Sequence, residues 1–122
     1  MGKDFWRKKK VLITGHNGFK GSWLLLWLQQ LGAQVWTYSL DPSSEPNLFN
    51  QLAHACPPGQ SWHHQIGDLS DFESLKLLVS HAQPEVVIHL AAQPLVRMSY
   101  LDPVGTWSTN LIGSLHLLEA LR

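Results

Sequence analysis

A chain of 122 residues with 44% apolar side chains and six tryptophans has the length and the apolar content for one modest domain with a packed core, which argues against disorder. Nine basic residues balance nine acidic ones, so no net field draws the chain to nucleic acid or to an anionic membrane. Cys56 is the single cysteine, which excludes an internal disulfide and fits a reducing, cytoplasmic compartment.

Residues 1–10 read as a basic N-terminal tail. Arg7-Lys8-Lys9-Lys10 make a short solvated run without the aromatic interleaving of a nucleic-acid surface. Residues 1–10 have no secretory-leader pattern, and Trp6 stands where a myristoylation motif needs serine or threonine.

Residues 11–14, Val-Leu-Ile-Thr, form the first expected strand. The segment Gly15-His16-Asn17-Gly18-Phe19-Lys20-Gly21 follows and opens an apolar helix. Glycines at this spacing let the chain turn sharply, bring its backbone against a diphosphate and pack the new helix on the strand. The helix start adds unpaired N–H groups and about half a positive charge of dipole, so an anion is stabilised there; Lys20 adds to this.

The helix is expected over 19–31, with Gly32 as a left-handed stop. Its run 23–28 is far shorter than the ~20 residues of a membrane span and reads as a buried helix. A second strand is expected over 34–40. The stretch 41–60 is a loop rich in proline, serine and asparagine, with a short helix over 47–55. A weaker third strand over 62–66 closes on Gly67-Asp68. Ser70 and Glu73 have capping-box spacing, Phe72, Leu75, Leu78, Val79 and Ala82 recur at helical spacing, and Pro84 ends that helix.

Residues 85–91 carry Val86-Val87-Ile88, a run typical of a strand covered on both faces. Residues 92–101 read as a loop, after which Asp102 and Pro103 match a helix cap and first position. Val104, Trp107, Leu111, Leu115 and Leu118 continue a helical stripe over 104–121. This alternation predicts an α/β fold: a Rossmann-like doubly wound parallel sheet, strand order 3-2-1-4, of which residues 11–122 supply the first half. The fourth strand would then stand at an open edge, so the chain is expected to be the N-terminal part of a longer domain.

Cys56 with His63 and His64 makes a poor tetrahedral metal site, because adjacent histidines diverge on a strand. His89, in a buried strand, reads as a satisfied core histidine. Ser22 and Ser99 lack a nucleophile elbow.

The segments 15–24 (GHNGFKGSWL), 38–42 (YSLDP), 67–69 (GDL) and 89–97 (HLAAQPLVR), in this order, resemble the CDP-glucose 4,6-dehydratase family of the extended short-chain dehydrogenase/reductase superfamily. The GFKG turn and the AAQPLVR segment separate that family from its sugar-nucleotide epimerase relatives. The resemblance implies an enzyme that uses bound NAD to convert CDP-glucose to CDP-4-keto-6-deoxyglucose and water. The chemistry would run through C4 oxidation, elimination across C5 and C6, and hydride return to C6.

It further implies that Gly15, Asn17, Gly18, Phe19 and Gly21 face the diphosphate. Asp68 and Leu69 would meet the adenine edge, and Ala91, Ala92 and Gln93 would line the pyrophosphate and the nicotinamide ribose. Asp68 also fits a turn carboxylate capping the next helix. Arg97 fits either a substrate phosphate or a surface carboxylate.

Asn17 stands where the family has threonine, and Trp107 where tyrosine is common, leaving bulk without a hydroxyl against the cofactor. Ser39 occupies the position of the acidic ribose ligand, with Asp41 two residues on as its substitute. No arginine follows for a 2′-phosphate, which favours NAD over NADP. The catalytic tyrosine with lysine four residues later is absent, since Tyr38 is followed at that distance by Pro42 and Tyr100 by Val104. The sugar-binding region is expected further on too. The resemblance also implies a homodimer paired through helix 104–121. A non-catalytic nucleotide-binding module, a sugar-nucleotide epimerase and a GDP-mannose-type dehydratase are the competing readings.

Overall fold

A computed structural model of the protein describes residues 2–42, 44–53 and 62–122. After a one-turn helix α1 (Lys3–Trp6), strands β1 (Lys10–Thr14) and β2 (Gln34–Ser39) form the middle of a four-stranded sheet. Strand β3 (His63–Ile66) lies beside β2, and β4 (Val86–His89) lies beside β1. All pairs are parallel, in the order β3-β2-β1-β4, with Ile13 opposite both Thr37 and Ile88. The expected 3-2-1-4 topology is therefore present.

Parallel neighbours need crossover connections. Helix α2 (Phe19–Gln30) joins β1 to β2, and α4 (Phe72–Ala82) joins β3 to β4. Side chains alternate across β1 and separate two cores. Val11 and Ile13 meet Leu25 and Leu28 of α2 on one face; Leu12 meets Leu75, Leu78 and Val79 of α4, with Tyr38, Leu69 and Leu117, on the other. Each fully buried aliphatic side chain contributes about 1.5–3 kcal/mol. Helix α3 (Leu48–Ala53) brings Phe49 to the first core.

Gly32, at φ +80°, ends α2 as expected. Its N–H donates to the Gln29 carbonyl and the Ala33 N–H to the Leu28 carbonyl, the paired bonds of a Schellman stop. The basic run is partly engaged: Lys9 Nζ lies 2.8 Å from Glu85, whose other oxygen accepts from the Lys10 N–H.

Several expectations need correction. Helix α4 starts one residue later than the capping-box spacing implies, because Asp68 Oδ1 accepts from the Ser70 N–H and winds a turn there. Asp71 is the cap instead and accepts from the Ser74 N–H. The run 23–28 is not wholly buried: Leu25 and Leu28 face the sheet, whereas Trp23 and Trp27 stand outside at 49% and 62% exposure. Strand β4 is half-buried rather than covered, as one edge has no strand beside it among the described residues.

Another concerns the loop 92–101, which contains helix α5 (Val96–Leu101). Asp102 then caps α6 (Pro103–Trp107) by accepting from the Gly105 N–H, as its sequence indicates. The long helix beyond is not uniform. A π-helical stretch, Ser108–Ile112, separates α6 from α7 (Gly113–Leu121). No helix among the described residues is long and apolar enough to cross a membrane.

Candidate functional site

At the carboxyl ends of β1, β2, β3 and β4 a cavity of about 610 Å³ opens where the chain order reverses between β1 and β4. Open parallel sheets present a crevice there because the connections leave in opposite directions. Gly15, Asn17, Gly18 and Phe19 line it from the glycine turn, and Asp41 from the end of β2. Asp68 and Leu69 come from the end of β3, and Ala91, Ala92 and Gln93 from the end of β4.

The glycines divide by what surrounds them. Gly15 has φ +73°, and a Cβ there would sit 2.6 Å from the Ala91 nitrogen. At Gly21 a Cβ would sit 2.6 Å from the His16 Cα, so this glycine allows α2 to approach the turn. Gly18 differs: its nearest neighbour would be the Gly15 carbonyl oxygen at 3.5 Å, an ordinary contact. The chain's own packing does not require glycine at 18, and the cavity lies against it. Bare backbone is what a diphosphate needs at such a place. The turn is braced by Ser22 Oγ, which donates to the Gly18 carbonyl at 2.7 Å.

Other expected residues lie elsewhere. Lys20 is exposed in the first turn of α2, and Lys20, Gly21, Arg97 and Trp107 are outside the cavity lining. Arg97 is exposed on α5 and Trp107 is 67% exposed. The Asn17 amide donates to the Leu40 carbonyl.

Sequence reading missed a polar network beneath the floor. Ser114 Oγ donates to the Asn110 carbonyl, so it accepts from His89 Nε2 at 3.0 Å. His89 Nδ1 is then the acceptor for the Thr14 hydroxyl at 2.5 Å, and Thr14 Oγ1 accepts from the Ala91 N–H. Every hydroxyl and ring nitrogen is matched, and burial holds the His89 pKa below its ordinary value. His89 is a satisfied structural histidine.

Asn110, in the π-helical stretch, accepts from the Gln93 N–H at 2.7 Å and donates to the Gln93 carbonyl at 3.1 Å. The wide turn thus carries a side chain that fixes the cavity's backbone. Polar Thr109-Asn110 within an apolar stripe is the only signal the sequence offers for it.

Tyr38 has a similar role on the other side. Its hydroxyl donates to the Asp68 carbonyl at 2.8 Å, and burial raises its pKa. A Cβ on Gly67 would strike the Tyr38 ring, so the glycine admits the phenol.

Under the glycine turn, His16 Nε2 and His64 Nδ1 share a 2.8 Å hydrogen bond, with Phe49 edge-on to His16. Burial, helped by His64, pushes the His16 pKa down to about 3; burial also lowers that of His64, against the charge of Asp41. Both rings are neutral near pH 7. His63 stacks on Trp36 from the opposite face of β3, so the adjacent histidines diverge. Cys56 lies outside the described residues.

The family model described as GDP-mannose 4,6 dehydratase matches residues 12–122. CDP-glucose 4,6-dehydratase of Salmonella typhimurium is 48% identical over 120 residues, covering 98% of this chain and 32% of the relative. Among solved structures, UDP-glucose 4-epimerase of Thermus thermophilus in complex with NAD is 33% identical. That match covers 90% of this chain and 32% of the other, with a TM-score of 0.74. UDP-glucose 4-epimerase of Stenotrophomonas maltophila with bound NAD and formylated UDP-arabinopyranose is 26% identical, with a TM-score of 0.80 over 93% and 33% of the two chains. The chain spans about a third of the length of these relatives.

Proposed function

The chain belongs to the GDP-mannose 4,6-dehydratase family, and on that premise we propose that its cavity binds NAD for a sugar-nucleotide 4,6-dehydratase acting on CDP-glucose. The observation that carries the NAD reading is Gly18, which lines the cavity at a helix start with room for a side chain it lacks. The site fits the group on the chain's own terms. Gly15, Gly18 and Phe19 hold the diphosphate through the turn and the helix amino end, and the exposed Asp41 carboxylate accepts from the adenosine ribose hydroxyls. Asp68 uses Oδ1 on the Ser70 N–H and so serves the turn as well as the adenine edge. Ala91, Ala92 and Gln93 form the wall toward the nicotinamide, with Gln93 fixed by Asn110.

When bound, NAD supplies hydride acceptance at C4 and hydride return at C6. The net conversion is of CDP-glucose to CDP-4-keto-6-deoxyglucose and water. The preference for CDP-glucose follows the 48% identical relative; a GDP-mannose substrate and 4-epimerisation are the alternatives that the product decides. The protein is also proposed to pair with a second copy along the face carrying Trp107, Leu111 and Leu118, all more than half exposed.

Titration of NAD and NADP into the full protein tests the cofactor assignment. NAD is expected to bind more tightly, as Asp41 repels a 2′-phosphate. Equal or tighter binding of NADP would overturn the role of Asp41.

A further inference from the structure

Leu40 follows the last residue of β2, and its carbonyl lies past the strand ladder, whose final bond runs from the Gly67 N–H to the Ser39 carbonyl. Such a group needs another partner. Two side chains supply it: Ser39 Oγ donates at 2.9 Å, and the Asn17 amide donates from the glycine turn 23 residues earlier. Asn17 adjoins Gly18, and Leu40 adjoins Asp41. One hydrogen bond therefore ties the two parts of the cavity assigned to the diphosphate and to the ribose.

We propose that Asn17 is a positioning residue that sets the span between the diphosphate cradle at Gly18 and the ribose rim at Asp41, acting through the Leu40 carbonyl and not by touching phosphate. The inference rests on the nucleotide-binding reading above. A ligand that bridges both parts gains from a span fixed beforehand, because the loop ordering is already done. A ligand that occupies one part gains nothing.

The test compares wild type, Asn17→Ala and Asn17→Leu in the full protein, using ADP as the bridging probe. Adenosine probes the rim alone and pyrophosphate the cradle alone, all followed by NMR titration at millimolar ligand. Leucine keeps the bulk of asparagine without its donor, which guards against collapse of the turn. Both variants are expected to weaken ADP about fivefold, the worth of one hydrogen bond, with adenosine and pyrophosphate unchanged. A parallel loss for pyrophosphate would mean that Asn17 contacts phosphate directly. Uniform loss across all three probes would leave it a merely structural residue, and unchanged ADP binding would show that the tie has no effect; each overturns the proposal. A wild-type protein that binds neither ADP nor NAD refutes the nucleotide-binding reading itself, and the inference falls with it.

Discussion

Substituting the three turn glycines one at a time separates folding from binding. Alanine at Gly15 must adopt φ +73°, at about 1–2 kcal/mol, and its Cβ meets the Ala91 nitrogen at 2.6 Å, adding about 1–3 kcal/mol of overpacking. The total, about 2–5 kcal/mol, is a large part of the ~5–15 kcal/mol of a typical domain. At about 1–2 °C per kcal/mol for a protein of the relatives' length, it lowers Tm by roughly 2–10 °C. Alanine at Gly21 gains about 1 kcal/mol of helix propensity but drives its Cβ into backbone at His16, so a net loss is expected. Gly18→Ala meets nothing closer than 3.5 Å and has φ −73°, leaving a cap penalty of about 0.5–1 kcal/mol and a Tm drop of about 2 °C or less. Its effect falls on the ligand instead: a methyl group on the cavity wall is expected to weaken NAD about tenfold or more, equivalent to about 1.4 kcal/mol. Scanning fluorimetry and calorimetric titration of the full protein read the two quantities. If Gly18→Ala stays folded and binds NAD like wild type, the diphosphate does not lie at Gly18. If Gly18→Ala is as destabilising as Gly15→Ala, the packing account is wrong.

Other outcomes follow from the polar interior. Because the His16 pKa is lowered to about 3, the unfolded chain binds a proton that the folded chain refuses between there and 6.5. Stability is thus fully present above pH 6.5 and falls on acidification by up to about 1.4 kcal/mol per pH unit per histidine, with His64 and His89 shifted the same way. Urea melts between pH 7 and 5.5 should show this slope, and His16→Gln should reduce it, leaving the share of His64 and His89; a slope unchanged in the variant would show that His16 does not contribute. Asn110→Ala removes both bonds to the Gln93 backbone and is expected to cost about 1–2 kcal/mol and to weaken NAD, whereas undiminished stability and affinity would show that Gln93 is held otherwise. Leu111→Glu with Leu118→Glu is expected to give monomers by size-exclusion light scattering, and a persistent dimer would move the interface elsewhere.

What the sequence reveals depends on how local its causes are. The strand order, the glycine turn, the Gly32 stop and the Asp102-Pro103 start rest on periodicity or on residues a few positions apart, and all are observed. The Ser70 spacing misleads because Asp68 takes the Ser70 N–H that Glu73 would accept in a capping box, and Asp71 caps the helix one residue later through the Ser74 N–H. Helix α5 is short, follows Pro94 and lacks a side-chain cap, so nothing marks its start. The cavity's supports escape for a different reason. Asn110 to Gln93, Asn17 to Leu40 and Tyr38 to Asp68 join residues 17, 23 and 30 positions apart, and no local pattern encodes those meetings. The stripe of Val104, Trp107, Leu111, Leu115 and Leu118 is real but faces outward, since Gly113 and Leu117 make the contact with Leu69 and the core.

The most direct test supplies the full protein with NAD and CDP-glucose deuterated at C4 and follows the sugar by NMR. The predicted product is CDP-4-keto-6-deoxyglucose with the label transferred from C4 to the C6 methyl group. A folded, NAD-binding protein that returns a 4-epimer, or that leaves CDP-glucose unchanged while converting GDP-mannose, would contradict the assignment.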